Sequence, residues 1–284
     1  MTSIQPIILK LGGSLITEKS KPTPTLRHQL LQQIAQELLQ AYQIYPHWIF
    51  VHGAGSFGHP LAKKLGLQQG LRPNTDLKEL CKLQCLQHQL STELCHIFLQ
   101  HSLPCFPLQS SALFLLHNQN ILEFFTTPIT KIQNLGLIPL LGGVPALDEQ
   151  RKISILSGDQ ITYALAQKLN PPLVIHATQV GGVFTANPQT NKNAKRIPLI
   201  HQQNWPQIQP LLNSPQYSDV SGGMQGKILQ CLKIAQLNIP VAILNLQKPN
   251  NLLQLLQGKS WQGTLILPPF ASPSNTLPIQ IPQP

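Results

Sequence analysis

The sequence predicts an α/β protein, a three-layer αβα sandwich with a mostly parallel central sheet. Short apolar runs alternate along the chain with segments whose apolar residues recur at helical spacing, which is the order of repeated β–α–β units. The apolar runs also lack the alternation of polar and apolar residues that is typical of a half-solvated strand. Both faces of each strand are therefore expected to be covered by helices.

The elements follow from these two patterns. Apolar runs bounded by turn residues predict buried strands at residues 7–11, 48–52, 104–108, 137–141, 172–177 and 239–244. Helical spacing predicts amphipathic helices at residues 25–43 and 75–101 and shorter ones at 127–135, 158–169 and 223–236. The polar segment 184–219 is interpreted as long loops around the functional face. Because the sequence shows no internal repeat and no clear linker, we expect one domain over residues 1–268. A loose proline-rich tail is expected at residues 269–284.

Composition narrows the class of ligand. The 20 Lys and Arg residues outnumber the 10 Asp and Glu residues, so the chain favours anionic partners. The lysines are scattered and no basic run contains interleaved aromatic residues, which favours small anionic metabolites over nucleic acid. No apolar run is long enough to predict a membrane span. An odd count of five cysteines and the lack of a signal-peptide pattern predict free thiols in a cytoplasmic protein.

One group of possible metal ligands lies in the second long helix. Cys81, Cys85 and His88 share a helix face by their spacing. We interpret them as ordinary helix residues, because no second ligand pair with zinc-site spacing is present.

Three glycine-rich turns carry the chemical signal. The segments KLGGS (residues 10–14) and HGAGSFGH (residues 52–59) each follow an apolar run, and DVSGGMQGK (residues 219–227) leads into a helix. Such turns present bare backbone N–H groups at a helix N-terminus, an arrangement that binds phosphate. Two such turns after strands predict either two phosphate-bearing ligands or the two phosphates of a transfer reaction.

Three charged or polar side chains, Lys10, His59 and Lys227, stand in these turns, and a fourth, Asp159, follows Gly158 at the start of another helix. Lys10 and Lys227 could each neutralise a phosphate, although Lys10 could instead be a solvated charge at a strand end. Asp159 precedes a helix and is either its N-cap or an acid that orients the lysines. His59 could donate a hydrogen bond to an anion, whereas His52 is expected to be structural.

Taken together, these segments resemble the amino acid kinase superfamily and, within it, the isopentenyl phosphate kinases. The resemblance runs from residue 8 to about residue 266 and includes ILKLGGSLITEKS, VHGAGSFGHPLAKK, FPLQSSA, SILSGDQI, ATQVGGVFTANP, DVSGGMQGK and GKSWQGTLI. The segments with GAGSFGH and DVSGGMQGK are the most specific. The resemblance implies the amino acid kinase fold, ATP and Mg²⁺ as cofactors, a small phosphorylated substrate and a homodimer.

The resemblance also implies roles for individual residues. Residues up to about 150 would form the phosphate-acceptor side, and residues from about 151 to 268 the nucleotide side. Catalytic roles would fall to Lys10, His59, Asp159 and Lys227, with Asp159 organising the lysines. The nucleotide would be bound by Lys10, Gly12, Gly13, Ser14, Lys19, Thr178, Gly182, Gly223 and Lys227. The acceptor phosphate would be bound by Ala54, Gly55, Ser56, Gly58, His59 and Gly158.

The implied activity is ATP-dependent phosphorylation of isopentenyl phosphate to the diphosphate. Its chemistry suits these residues, because a phosphate monoester with a second pKa of about 6 is already a nucleophile at neutral pH. The protein then needs to hold two polyanions in line and to neutralise charge, and no general base is required.

The chain departs from the family pattern at several acids. The family sequence TDVDG is TQVGG here, with Gln179 and Gly181 in place of acids. The family sequence HGD corresponds to LGG here, with Gly143 in place of the acid. The family sequence SGDD corresponds to SGDQ, with Gln160 in place of the last acid. Ala54 replaces the middle of three consecutive glycines. These losses leave open an altered nucleotide preference, weaker Mg²⁺ binding or a non-catalytic phosphometabolite-binding protein. An active kinase is favoured because the lysines, His59 and Asp159 remain.

A dinucleotide-binding protein is the other alternative. Residues 53–58 satisfy GxGxxG after a strand, which is the fingerprint of a dehydrogenase. The turn follows the second strand rather than the first, and no acid ends a strand about 20 residues further on. This alternative also leaves the other two glycine-rich turns without a role.

Overall fold

A computed structural model describes residues 5–18, 21, 23–188, 190–212 and 223–269, the side chains of residues 223–225 excepted. The strands are β1 (Ile7–Leu11), β2 (Trp48–His52), β3 (Cys105–Pro107), β4 (Phe114–His117), β5 (Asn120–Phe124), β6 (Ile138–Gly142), β7 (Val144–Asp148), β8 (Lys152–Leu156), β9 (Val174–Ala177), β10 (Val183–Phe184), β11 (Arg196–Ile197), β12 (Leu199–Ile200), β13 (Val241–Leu244) and β14 (Gly263–Ile266). The helices are α1 (Gly13–Ile16), α2 (His28–Ile44), α3 (Gly55–Lys64), α4 (Leu77–Gln100), α5 (Ser110–Leu113), α6 (Thr127–Asn134), α7 (Gly158–Leu169), α8 (Trp205–Leu212), α9 (Gly223–Ala235) and α10 (Asn251–Leu256).

An eight-stranded sheet forms the centre, in the order β12-β14-β13-β9-β1-β2-β6-β3. Every neighbouring pair is parallel except β13 and β14. The strands on one side of β1 come from the first half of the chain, and those on the other side come from the second half. The six predicted strands all lie in this sheet, which confirms the predicted fold class.

Helices cover both faces of the sheet, as the continuous apolar strands predicted. Along β1, Ile7, Leu9 and Leu11 pack in a core formed with α2, α4 and α10. Ile8 points to the opposite face, into a second core formed with α7, α8 and α9. The five predicted helices are α2, α4, α6, α7 and α9.

A smaller sheet, in the order β5-β4-β7-β8, was not predicted. β5 is largely exposed and the other three strands are each partly exposed, so no continuous apolar run reveals them. The segment 184–219, predicted to be long loops, contains β11, β12 and α8 in its described part. Residues 213–219 and the tail from residue 270 onwards lie outside the described residues.

One buried carboxylate ties the two hairpins of the smaller sheet together. Asp148 accepts hydrogen bonds from the N–H groups of Asn118 at 3.0 Å and Gln119 at 2.8 Å, in the β4–β5 turn. It also accepts one from the N–H of Arg151 at 2.9 Å, in the β7–β8 turn. The Gln160 side chain of α7 donates to the Gln119 carbonyl at 2.6 Å. The smaller sheet is thereby fixed against the start of α7.

A second buried carboxylate joins two helices on one face of the main sheet. Glu37 of α2 accepts hydrogen bonds from the N–H groups of Leu252 at 2.7 Å and Leu253 at 3.3 Å. These N–H groups belong to the first turn of α10, which has no side-chain cap of its own. Burial raises the pKa of Glu37, and the backbone hydrogen bonds oppose that rise.

No helix in the described ranges combines the length and apolar character that crossing a membrane requires.

Candidate active site

The carboxyl ends of the central strands bring the glycine-rich turns together. The N–H of Gly12, directly after β1, donates to the Ala177 carbonyl at the end of β9 at 2.9 Å. The N–H of Gly53, directly after β2, donates to the Leu11 carbonyl at the end of β1 at 2.9 Å. Three neighbouring strands therefore end at one crevice, at the edge where parallel sheets bind their ligands.

The first two glycine-rich turns touch through their backbones. A Cβ placed on Gly13 would lie 2.4 Å from the Gly55 nitrogen, and one on Gly53 would lie 2.8 Å from the Gly13 nitrogen. Gly55 also has a φ of +52°, which favours glycine. Only residues without a side chain permit this approach, so the turns predicted to bind nucleotide and acceptor lie in direct contact.

Thr17 joins the same two turns by hydrogen bonds. Its buried hydroxyl donates to the Gly13 carbonyl at 2.8 Å and accepts from the N–H of Ser56 at 2.9 Å. The N–H of Ser56 is therefore already paired within the protein. In the described part of the chain, the N–H groups of Ala54 and Gly55 have no protein acceptor. Both are among the donors that the turn presents at the N-terminus of α3.

Lys10 and Asp159 form an ion pair in the crevice. Lys10 Nζ lies 2.6 Å from Asp159 Oδ1, and Lys10 is only 4% exposed. This burial excludes the alternative of a solvated charge at the end of β1. Ser157, not Asp159, is the N-cap of α7, since its hydroxyl accepts from the N–H of Gln160. Asp159 is therefore the acid that holds a lysine.

Burial and neighbouring charges set the protonation of this pair. Burial lowers the pKa of Lys10 to about 8, with Asp159 opposing the shift and Lys227 adding to it. Burial raises the pKa of Asp159, but the charges of Lys10 and Lys227 outweigh it and hold that pKa well below its usual range. The cluster therefore carries two cations and one anion near neutral pH, an excess of positive charge that suits phosphate.

His176 is a site residue that the sequence analysis missed. It pairs in register with Lys10 across β1 and β9, is fully buried, and places Nδ1 3.5 Å from Asp159 Oδ1. Burial lowers its pKa to about 3, so the imidazole is neutral. The sequence around it is an apolar strand, which indicated only a core position. His52, by contrast, is structural as expected: Nδ1 donates to the Gly53 carbonyl at 3.1 Å, and Nε2 accepts from Ser91 at 2.8 Å.

The third glycine-rich segment is described only in part. Gly223 begins α9, and Lys227 is half-buried in its second turn. The charge of Lys227 acts on Lys10, Asp159 and His176, which places Lys227 with the cluster. Lys19 and residues 219–222 lie outside the described residues.

The other predicted nucleotide-binding residues surround the ends of β1 and β9. Ser14 lies in α1, directly after Gly12 and Gly13. Thr178 follows β9, donates its N–H to the Leu244 carbonyl at 2.8 Å, and donates its hydroxyl to the Val180 carbonyl. Gly182 has a φ of +120°, and a Cβ there would lie 2.7 Å from Thr264 Oγ1.

The remaining predicted acceptor residues lie on the other side of β1. His59 is exposed in the second turn of α3. A Cβ on Gly158 would lie 2.9 Å from the His52 carbonyl and 3.4 Å from Lys10 Cε. A Cβ on Gly58 would lie 2.6 Å from Gln87 Nε2, on α4. The lack of side chains at both glycines therefore makes room for the lysine and for an amide.

A small apolar cluster lies beyond α3. Leu67, Leu80 and Leu83 are buried together, with Ile153 and Ile155 of β8 packed against them. Leu90, which shares α4 with two of these leucines, belongs to the main core instead.

The described residues contain no group of three or more His, Cys, Asp or Glu side chains that could hold a metal ion. Cys81 and Cys85 are exposed, and His88 contacts Gln84 at 3.1 Å. The carboxylate in the crevice, Asp159, is already paired with Lys10. These residues do not form a protein cage for Mg²⁺, which in phosphoryl-transfer sites is held largely by substrate phosphates and water.

Comparison with known proteins agrees with this arrangement. The model of the amino acid kinase family matches residues 5–245. The isopentenyl phosphate kinase of Methanothermobacter thermautotrophicus is 33% identical, over 92% of this chain and 98% of its own length. The isopentenyl phosphate kinase of Methanocaldococcus jannaschii is 30% identical, over 91% of this chain and 97% of its own length. A solved structure of an isopentenyl phosphate kinase has a TM-score of 0.78 at 30% identity, covering 92% of this chain and 99% of that one.

Proposed function

The chain belongs to the amino acid kinase family, and we propose that it is a phosphotransferase that uses ATP to convert isopentenyl phosphate to isopentenyl diphosphate. The relatives of similar length carry that name and match nearly their whole length. The observation that carries the proposal is the Lys10–Asp159 ion pair beside two touching glycine-rich turns. This geometry brings two phosphate-binding loops and a buried cation to one point.

The residues support an in-line transfer. An oxygen of the acceptor phosphate attacks the γ-phosphorus of ATP, a new P–O bond forms, and the bond to ADP breaks. Lys10 and Lys227 neutralise the charge on the transferring group, while Asp159 fixes the Lys10 ammonium. Because the acceptor is already an oxyanion, His59 acts as a hydrogen-bond donor to it rather than as a base.

The two phosphates bind on opposite sides of β1 in this proposal. Gly13 and Ser14 hold the phosphates of ATP, next to Gly12, whose own N–H is already paired with the Ala177 carbonyl. Ala54 and Gly55 hold the acceptor through backbone N–H groups. The separation matches the strand order, in which β2 and β9 flank β1. The apolar cluster of Leu67, Leu80 and Leu83, next to α3, offers the hydrocarbon tail a dry environment.

Mg²⁺ would be held largely by the phosphates of the nucleotide, because the described residues offer no carboxylate cage for it. Mg²⁺ would neutralise the β- and γ-phosphates, and the charge that remains is met by Lys10 and Lys227. The acids absent at Gln179, Gly181, Gly143 and Gln160 reduce the negative charge near the crevice. We expect this to weaken selection for ATP over GTP rather than to abolish transfer. The homodimer and the cytoplasmic location stay predictions.

The test is diphosphate formation by the purified chain with Mg²⁺ and either ATP or GTP. Isopentenyl phosphate is compared with N-acetylglutamate, glutamate, UMP and carbamate as acceptors. We expect isopentenyl phosphate to be phosphorylated with the highest kcat/KM. Faster phosphorylation of another acceptor would overturn the substrate but leave a kinase. No phosphorylation with either nucleotide would favour the non-catalytic, phosphometabolite-binding alternative.

A further inference from the structure

The amide of Gln87 is buried beside the acceptor turn without a hydrogen-bond partner. Gln87 lies on α4 and is 1% exposed. Neither Nε2 nor Oε1 has a partner among the described residues. A Cβ on Gly58 would lie 2.6 Å from Gln87 Nε2 and 2.7 Å from Ala54 Cβ. The amide therefore lies against the first turn of α3, next to the residue that begins it.

An unpaired amide in this position is costly for the fold. A buried polar group without a partner loses its hydration and gains nothing in return. Most buried side-chain polar groups in folded proteins are paired, so an exception calls for an explanation. The same helix offers a contrast, because the exposed Gln89 donates to Glu93 at 2.6 Å. The sequence thus tolerates at residue 87 a cost that an apolar side chain would avoid.

One polar neighbour of Gln87 on α4 contacts the strand that leads into the acceptor turn. Ser91, one turn further along, hydrogen-bonds to His52 Nε2 at 2.8 Å. His52 ends β2 and is followed directly by the acceptor turn. Ser91 thus contacts the residue that precedes the turn, whereas the Gln87 amide lies against the first turn of α3 itself.

We propose that Gln87 is a further binding residue for the acceptor phosphate, and that its side-chain N–H groups donate to a phosphate oxygen. Nε2 is the amide atom nearest to Gly58, and it can only donate. Its matching ligand is therefore an acceptor, and an anionic phosphate oxygen accepts the strongest hydrogen bonds. The N–H groups of Ala54 and Gly55 and the Gln87 amide then converge on one anion from α3 and α4.

The inference also explains Gly58. Any side chain there would displace the Gln87 amide and meet Ala54. Glycine in the interior of a helix is unfavourable relative to alanine, and here it leaves space for the amide to lie against the turn.

The test exchanges Gln87 for Met, which has a similar shape but no donor. If the amide binds the acceptor, Gln87→Met raises the KM for isopentenyl phosphate about tenfold or more, the scale of one hydrogen bond to a charged group. The KM for ATP stays unchanged. Removing an unpaired buried amide also raises the Tm of the ligand-free protein. Gln89→Met, on the exposed face of the same helix, is the matched control and changes neither KM nor Tm.

The inference rests on the proposed function, and a second measurement separates the two. The rise in Tm produced by inorganic phosphate is recorded for the wild type and for both variants, without any catalysis. A smaller rise in Gln87→Met than in Gln89→Met supports the inference even if isopentenyl phosphate is not a substrate. An unchanged KM together with an unchanged phosphate-induced rise in Tm would overturn the inference and leave the proposed function standing.

Discussion

Asp159 Oδ1 lies 2.6 Å from Lys10 Nζ across 149 positions of sequence, and this contact keeps a nearly inaccessible ammonium charged. Burial alone favours the neutral amine, because an isolated charge loses its hydration. The charge of Asp159 raises the pKa of Lys10 and the charge of Lys227 lowers it, and the resulting pKa of Lys10 is about 8. The charge available for phosphoryl transfer therefore depends on two neighbours of opposite sign.

The first prediction concerns the alkaline limb of activity. Lys10 is protonated below its pKa of about 8, so kcat/KM in the free enzyme should fall as the pH rises through that value. Asp159→Asn removes the charge that raises the pKa of Lys10 and should move the limb to lower pH. It should also reduce the rate by about 10²-fold. A pH profile of kcat/KM for both proteins checks the direction, and a limb that stays in place would contradict the assignment.

The second prediction concerns Lys227, whose removal should shift the alkaline limb in the opposite direction. The charge of Lys227 lowers the pKa of Lys10. Lys227→Met should therefore move the alkaline limb to higher pH while it slows transfer. Lys233→Met, further along the same helix, is the control and should leave both the limb and the rate unchanged. The same pH profiles decide, and a shift to lower pH in Lys227→Met would be inconsistent with the charge cluster described above.

The third prediction concerns the hydroxyl that joins the two turns. Thr17→Val keeps the shape of the side chain but leaves the N–H of Ser56 without its acceptor. It also removes one of two hydrogen bonds to the Gly13 carbonyl, which still accepts from the backbone N–H of residue 17. We expect a loss of about 1–3 kcal/mol in the free energy of unfolding and a higher KM for both substrates. Thr17→Ser retains the hydroxyl and should lose much less. Urea unfolding and steady-state kinetics measure the two effects, and equal behaviour of the two variants would show that the hydroxyl is not needed.

The fourth prediction concerns the substrate clamp. His59 is exposed on α3, close to the helix N-terminus that we propose binds the acceptor. His59→Ala should lower turnover by roughly 10²-fold or more, the scale of one preorganised donor. His59→Gln should recover part of the rate, because its amide still donates. Near-normal kinetics in His59→Ala would rule out the clamp.

The fifth prediction concerns stability alone. Glu37→Gln keeps an oxygen that accepts from the N–H groups of Leu252 and Leu253 and removes a buried charge. Since burial raises the pKa of Glu37, its ionisation opposes folding. The variant should therefore equal or exceed the wild type in free energy of unfolding at neutral pH. The difference should shrink as the pH falls through that raised pKa and vanish below the ordinary carboxyl pKa of the unfolded chain. Glu37→Ala leaves the N–H groups unpaired and should cost about 1–3 kcal/mol.

Six of the eight strands of the central sheet could be predicted because they are continuous apolar runs, a pattern that can be seen without knowing which strands pair, whereas β12 and β14 were missed. The hairpins β4–β5 and β7–β8 could not, since each of their strands is partly exposed and none is a continuous apolar run. Their relative position depends instead on Asp148, which accepts hydrogen bonds from the adjacent β7–β8 turn and from the β4–β5 turn. Such an arrangement has no local sequence signal.

Some residues of the candidate site could also be predicted from the sequence, and others could not. Lys10 could be proposed because it stands beside a glycine-rich turn, and Asp159 because it precedes a helix in the segment SILSGDQI that resembles the family. His176 could not, since its neighbours are apolar and its position is fixed by register with Lys10 across two strands. Thr17 and Gln87 were missed because their contacts join residues 39 positions apart in one case and about 30 in the other.

The contact between Gly13 and Gly55 has a thermodynamic consequence for the two ligands. The loops share a van der Waals surface and one bridging hydroxyl, so neither can shift without moving the other. Any adjustment that the nucleotide imposes on its loop changes the affinity for the acceptor, and linkage requires the reverse effect to be equally large. Calorimetric titration of each ligand with and without a non-hydrolysable form of the other should close a cycle with one common coupling free energy.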